Sequence, residues 1–193
     1  MILCRQAHES FNIILRQFPG NCLEIGVFEG DSIAQLARNH PNKTVYGIDP
    51  FVEDSYTQQL TKTKTGETIY VQRDIAYANI RGLENAKIFE ERSEVFARRP
   101  DEFLRSLDVS WVLIDGSHRK SDVLIDSEIA MRLIGEKFGG IIFDDCSIPE
   151  VREAYLEWLH KYQSKLQPAF DLLPVLPNHI IFHTVNLKCL ATS

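Results

Sequence analysis

No two of the four cysteines (Cys4, Cys22, Cys146, Cys189) are spaced as C-x-x-C, which argues against a zinc site and against a small disulfide framework; free thiols are expected. No run of about 18 apolar residues occurs, so no helical membrane span is expected. The opening stretch carries Arg5, His8, Glu9 and Arg16, which interrupt any secretory h-region, and the expected location is cytoplasmic. There is no block of lysine or arginine either. The 21 basic and 27 acidic side chains give 21 − 27 = −6, the wrong sign for displacing counterions from a phosphate backbone, and nucleic acid is not an expected partner. Internal repeats, low-complexity tracts and interdomain linkers are also missing. What is present, 193 residues with 44% hydrophobic and 25% charged, is enough for one domain with a sizeable core, spanning 1–193.

Short apolar runs alternate with longer stretches of helical period, the pattern of an α/β protein with a mostly parallel, Rossmann-like sheet and helices on both faces. Strands are expected at Cys22 to Val27, Thr44 to Asp49, Ala86 to Glu90, Trp111 to Asp115 and Gly140 to Asp144, with Trp111, Phe143 and Trp158 in the core. Helices should cover Met1 to Phe18, begin again near Ser32, and run from Arg119 to Glu136, where Val123, Ile129, Ala130, Leu133 and Ile134 share a face and Gly139-Gly140 stops the helix. A further helix should start at Ser147, capped through an S-x-x-E box closed by Glu150, with Pro149 in its first turn. Ala169 to Val175 and His179 to Val185 read as strands joined by Leu176-Pro177-Asn178, too short for a parallel crossover, so an antiparallel hairpin should end the sheet. Val52 to Tyr70 is the one long polar stretch, either a substrate lid or an additional loosely packed helix.

Ligands of open α/β sheets bind beyond the carboxyl ends of the strands, which directs attention to Leu23-Glu24-Ile25-Gly26-Val27-Phe28-Glu29-Gly30-Asp31-Ser32. Gly26 and Gly30 allow a tight turn and close approach to a ligand. A dinucleotide fingerprint starting at Gly26 needs glycine where Phe28 and Asp31 stand, and Glu24, Glu29 and Asp31 would repel a pyrophosphate. A sulfonium cation, an ammonium group and a single carboxylate suit this turn better. S-adenosylmethionine carries all three, and its carboxylate can sit at the helix N-terminus beside Ser32. Asp49, taken as level with Glu24 on the adjacent strand, can accept bonds from two ribose hydroxyls. The plainer alternative makes Glu24 and Asp49 ordinary strand-end acids and the glycines a turn only.

The segment Glu24-x-Gly26-x-x-x-Gly30-x-Ser32 resembles motif I of the class I S-adenosylmethionine-dependent methyltransferases, particularly the catechol-type O-methyltransferases. The resemblance extends from Leu23 to the terminal hairpin. It implies a seven-stranded sheet with an antiparallel last strand, ribose binding by Asp49, and an adenine contact from Ser93.

Trp111-Val112-Leu113-Ile114-Asp115-Gly116-Ser117-His118 places an acid at the end of an apolar strand and a histidine one turn later, and Asp144-Asp145 end the next strand. Carboxylates and an imidazole at one sheet edge are costly unless something cationic sits among them. Mg²⁺ held by Asp115, Asp144 and Asp145 is the simplest resolution; it would also lower the pKa of an acceptor hydroxyl. Asp115 and His118 are the candidate catalytic residues, with His118 as general base. Catechol-type enzymes carry a metal-binding Asp at the place of Asp115, a Lys at that of His118 and Asp-Asn at that of Asp144-Asp145. The sugar O-methyltransferases of macrolide and aminocoumarin biosynthesis look closer, with a D-x-x-H-like segment in the macrolide enzymes and an Asp-Asp pair. Those differences favour an aliphatic hydroxyl on a sugar or natural product over a catechol. Alternation along a strand lets Asp144 and Asp145 share an ion only if the strand has ended at Asp144; otherwise one of them caps the next helix, and His118 is an exposed turn residue. Asp126, mid-helix, is expected at the surface or behind the site.

These readings converge on a metal-assisted O-methyltransferase acting on a small-molecule hydroxyl. A catalytically silent S-adenosylmethionine-binding module and an aminopropyltransferase-like enzyme are the alternatives. No N-P-P-Y-type segment follows the Trp111 strand, which disfavours methylation of nucleic-acid bases. Acceptor contacts are expected from Met1 to Phe18, Val52 to Tyr70 and Cys146 to Glu150; no membrane partner is expected, and the hairpin and N-terminal helix are candidate homodimer surfaces.

Overall fold

The computed structural model describes residues 3–51, 70–168 and 181–185. Its elements are α1 (Leu3–Gln17), β1 (Asn21–Ile25), α2 (Asp31–Asn39), β2 (Val45–Ile48), α3 (Tyr70–Asn79), β3 (Ala86–Phe89), α4 (Ser93–Phe96), α5 (Asp101–Ser106), β4 (Val109–Ile114), α6 (Lys120–Ile134), β5 (Gly139–Phe143), α7 (Pro149–Tyr162), β6 (Leu166–Pro168) and β7 (Ile181–Val185). The strands lie in the order β3-β2-β1-β4-β5-β7-β6. The first five run parallel, β7 runs antiparallel to β5, and β6 antiparallel to β7. The hairpin arm expected at Ala169 to Val175 and its turn at Leu176-Pro177-Asn178 fall outside the described residues, as does 52–69 of the expected lid. The partner of β7 here is the earlier segment Leu166–Pro168.

Alternation along the central strands sorts the core into two layers. Leu23, Ile25, Val112, Ile114, Ile141 and Phe143 face α4 to α7, packing with Phe96, Leu104, Val123, Ala130, Ala154 and Trp158. Cys22, Trp111, Leu113 and Ile142 face the opposite way, with Phe11, Ile14, Ile33, Leu36 and Ala76 of α1 to α3. The strands are therefore apolar on both faces, as a sheet covered by helices on both sides requires. Trp111, Trp158 and Phe143 are fully buried, and Cys22 and Cys146 are buried free thiols. No helix among the described residues is long and apolar enough to cross a membrane.

Two helix boundaries depart from expectation. Helix α6 stops four residues before Gly139, at Gly135, which takes φ 60°. Gly139 instead opens β5, where an added Cβ would lie 2.2 Å from the Ser110 carbonyl oxygen, so its role is to let β5 pass against β4. Ser147 does not cap α7: the helix begins at Pro149, with Ile148 in the cap position and no side-chain cap bond. Glu150 is drawn elsewhere. Its Oε2 accepts the Lys120 backbone N–H at 3.1 Å, so the acid of the expected capping box satisfies the first turn of a neighbouring helix.

Trp111 anchors the β4 end of the second core. Its Nε1–H donates to the Pro19 carbonyl at 2.8 Å, and its ring meets Phe18 and Phe138 at centroid distances of 5.4 and 5.5 Å. Trp111→Phe removes that bond and leaves unfilled volume in a fully buried place. The expected cost is about 1–3 kcal/mol, read as a lower urea midpoint at unchanged slope.

Candidate active site at the carboxyl edge of the sheet

Strand order reverses direction between β1 and β4, the switch point at which open α/β sheets open a crevice for ligands. Register makes that edge a straight row. Ile48, Ile25, Ile114 and Phe143 are mutual partners on β2, β1, β4 and β5, and Phe89 extends the row on β3. The next residue of each strand is consequently Glu90, Asp49, Gly26, Asp115 or Asp144. Main-chain bonds continue into this row: the N–H of Asp49 donates to Phe89, that of Gly26 to Ile48, that of Asp115 to Ile25 and that of Asp144 to Ile114, at 2.9–3.2 Å.

At the centre of the row Gly26 takes φ 96°, and a Cβ built there would stand 2.1 Å from the carbonyl oxygen of Asp115. Only glycine lets the turn after β1 lie this close to the end of β4. Asp49 shapes the same turn from the other side. Its Oδ2 accepts the N–H groups of Val27 and Phe28 at 2.8 and 3.0 Å, and its Oδ1 that of Phe51 at 2.7 Å. Burial pushes its pKa up, against the pull of these three bonds. About one of a carboxylate's four acceptor positions remains for a ligand hydroxyl.

Glu24 is not level with Asp49, as expected, but with Gly47, one strand repeat lower. It is 1% exposed, and both its oxygens accept from the Ser32 hydroxyl, at 2.6 and 2.5 Å. Ser32 and Glu24 therefore brace the turn from beneath, and the face of α2 available to a ligand is its first-turn backbone. Gly30 takes the cap position of that helix without a side-chain cap bond.

Past the row, Asp115, His118 and Asp145 converge: one ligand atom from each lies within 4.8 Å of the others, all three residues being half-buried. His118 Nε2 is 3.0 Å from Asp145 Oδ2. His118 Nδ1 is buried. The expected set Asp115, Asp144 and Asp145 is not the one brought together. Asp144 still belongs to the ladder, is 4% exposed, and its Oδ1 accepts the Asp145 N–H at 2.7 Å. Asp145 is the residue that leaves the strand. It takes the left-handed φ of 52°, uncommon for a side chain other than glycine, and its carboxylate meets His118.

Asp126, expected at the surface or behind the site, is buried to 2% exposure in α6. Its carboxyl is hydrogen-bonded to Ser93, and its Oδ2 lies 3.5 Å from where a Cβ on Gly116 would stand. Ser93 is thereby placed at the start of α4, tied to the helix under the Asp115–His118 loop. Burial, aided by the charges of Asp122 and Glu94, raises the Asp126 pKa to about 7. A signal for this burial exists in the sequence: Val123, Asp126, Ala130 and Leu133 repeat at intervals of three and four, so the acid lies on the apolar stripe.

Residues 23–146, which carry all of these groups, match a family model described as a methyltransferase domain. The chain belongs to this family. S-adenosylmethionine is its cofactor, and the class I resemblance of the Glu24-to-Ser32 turn holds at family level. A curated relative, the uncharacterized protein R132 of Acanthamoeba polyphaga mimivirus, is 27% identical over 163 residues, covering 81% of this chain and 68% of the relative. Among solved structures, the O-methyltransferase NovP superposes with a TM-score of 0.64 at 15% identity, covering 94% of this chain and 78% of NovP. The calicheamicin methyltransferase CalS11 gives 0.59 at 13% identity, with 91% and 76% covered. These two likenesses concern the fold.

Two outcomes test the geometry of this methyltransferase domain. Gly26→Ala forces a side chain into a positive φ and against the Asp115 backbone, and an expected loss of roughly 2–4 kcal/mol shows in the thermal or urea midpoint. Burial pushes the Asp126 pKa up to about 7 in the folded protein, against 3.8 for an ordinary aspartate. A raised folded pKa stabilises the fold below about pH 4 relative to higher pH, and that contribution is lost as pH rises through 7. Asp126→Asn removes this dependence, so the variant should gain on the wild type between pH 4 and 7 by up to several kcal/mol, at about 1.4 kcal/mol per unit, and level off above. Parallel curves for the two proteins across that range would contradict the assignment.

Proposed function

We propose that this methyltransferase transfers a methyl group to a hydroxyl of a small molecule such as a sugar or natural product, with a divalent cation held by Asp115, His118 and Asp145. The observation that carries the reading is the position of those three residues beside the Gly26 turn, Asp115 and His118 after the adjacent strand β4 and Asp145 after β5, with Gly26 against the Asp115 backbone. Cofactor side and acceptor side are thus neighbours across the switch point. NovP is by name an O-methyltransferase and CalS11 a calicheamicin methyltransferase, which agrees with a hydroxyl acceptor.

When bound, S-adenosylmethionine supplies an electrophilic methyl on a sulfonium. A divalent cation, when bound, lowers the pKa of a nearby hydroxyl and fixes its direction. The donor set suits such an ion: two carboxylates and an imidazole, with spacing small enough for one centre. Asp49 offers its remaining acceptor position to a ribose hydroxyl, and the first-turn N–H groups of α2 face the carboxylate. Glu24 and Ser32 hold that helix start in place. Ser93 and Gly116, joined through Asp126, border the purine side. In-line displacement requires the acceptor oxygen to lose its proton, and the Asp115 carboxylate receives it. His118 is the less suitable recipient because Nδ1 is buried and Nε2 is directed at Asp145.

Calorimetry with S-adenosylmethionine, followed by labelled-methyl transfer to a panel of hydroxylated sugars and polyols, tests this reading. Binding is expected, weakened about tenfold or more (1.4 kcal/mol per tenfold) by Asp49→Asn, together with transfer to at least one hydroxyl that Asp115→Asn abolishes. Preference for the decarboxylated cofactor, or tight binding with no transfer to any hydroxyl, would sink it in favour of the aminopropyl-transferring or silent alternative.

A further inference from the structure

Resting on the cation-holding reading of Asp115, His118 and Asp145, we infer that His118 is a ligand of that site, not a general base, and that the site prefers a first-row transition ion of the Mn²⁺ to Zn²⁺ series over Mg²⁺. The argument begins with the ring. A general base must present a nitrogen to the acceptor, yet Nδ1 of His118 is buried and Nε2 lies 3.0 Å from Asp145 Oδ2. That distance has a second meaning. Neighbouring ligands on an octahedral ion with bonds near 2.1 Å are separated by about 3 Å, and opposite ones by about 4.2 Å. The 3.0 Å contact equals the separation of neighbouring ligands on such an ion, and the third ligand atom, from Asp115, lies within 4.8 Å of both, near enough for a small closing movement to complete three positions, the others being left to water and substrate.

The same geometry decides the kind of ion. An all-oxygen set would need Asp144 in place of His118, and Asp144 is instead buried, with one oxygen on the Asp145 amide. Replacing a carboxylate by an imidazole exchanges a hard oxygen for a nitrogen donor. Mg²⁺ demands hard oxygen ligands, whereas imidazole suits the transition ions. The exchange balances simply. A cation entering between Nε2 and Oδ2 takes the place of the proton at Nε2; from a doubly protonated ring that proton leaves to solvent, and from a neutral ring it moves to Nδ1, so the ligand is a neutral imidazole in either case.

Mn²⁺ is the probe, since its electron spin resonance reports both binding and nitrogen coordination without any turnover. Titrating the intact protein with Mn²⁺ should give one site whose pulsed spectrum shows imidazole-nitrogen modulation, and about a hundredfold excess of Mg²⁺ should displace less than half of the ion. His118→Ala, with its fold checked by thermal unfolding, should lose the modulation and bind Mn²⁺ at least about tenfold more weakly. Asp144→Asn should retain both within about threefold, because its side chain is outside the ligand set. Bound Mn²⁺ without nitrogen modulation, ready displacement by equimolar Mg²⁺, or loss of binding in Asp144→Asn would overturn the inference and leave an oxygen-only site. Failure to bind Mn²⁺ at all would overturn the metal-assisted reading as well, while cofactor binding measured separately tests the methyltransferase assignment on its own.

Discussion

The candidate site depends on the lateral alignment of the strand ends. Because Ile48, Ile25 and Ile114 share one level with Phe143, and because backbone bonds run one residue beyond each strand, Asp49, Gly26, Asp115 and Asp144 form a fixed row. A strand slipped by one residue would turn each of these side chains to the other face and into one of the two apolar layers. Burial of both layers therefore fixes the functional edge, although none of the residues at that edge is itself a large apolar one. The absence of a side chain at Gly26 completes the arrangement by letting the cofactor-side turn rest on the β4 end.

Acids placed beside a hydrophobic core need compensation, and here much of it comes from neutral donors. Asp49 is held by three backbone N–H groups and Glu24 by a serine hydroxyl. Bonds of this kind fix a carboxylate's direction as well as offset its desolvation. Asp49 consequently shapes the turn that it serves, and any ribose contact it makes begins from a preorganised carboxylate. Asp126 lies in the same setting with less compensation, which accounts for its raised pKa and for its place between Ser93 and Gly116.

Much of this was legible from residues alone. Apolar runs ending in an acid located the central strand ends to within a residue or two, and the Asp115, His118 and Asp145 candidates meet. What escaped was set by backbone geometry that side-chain identity does not encode. Whether Asp144 or Asp145 reaches the cluster depends on where β5 leaves the ladder and on a left-handed φ at Asp145. The level of Glu24 against Gly47 follows from the β1–β2 register, in which Cys22 meets Val45 and Ile25 meets Ile48, so that Asp49 stands one residue beyond the ladder. Glu150 satisfied α6 rather than its own helix because the α6 start lies within its reach, a tertiary contact overriding a local capping signal. Asp126 is different: of its two expected places, the surface and behind the site, the structure takes the second, and its position on the apolar stripe was the signal that could have decided between them.

Charge is the last constraint on the edge. The pair nearest β3 is balanced locally, with Arg73 Nε at 2.7 Å from Glu90, and Asp49 is satisfied by amides. Within the Asp115, His118 and Asp145 group itself, one imidazole carries at most one positive charge against two carboxylates. Protonating the ring balances only half of that charge and removes its lone pair. A divalent ion balances both carboxylates while leaving the imidazole neutral and able to coordinate. That demand for positive charge lies at the end of β4, the strand that pairs with β1 beside the Gly26 turn.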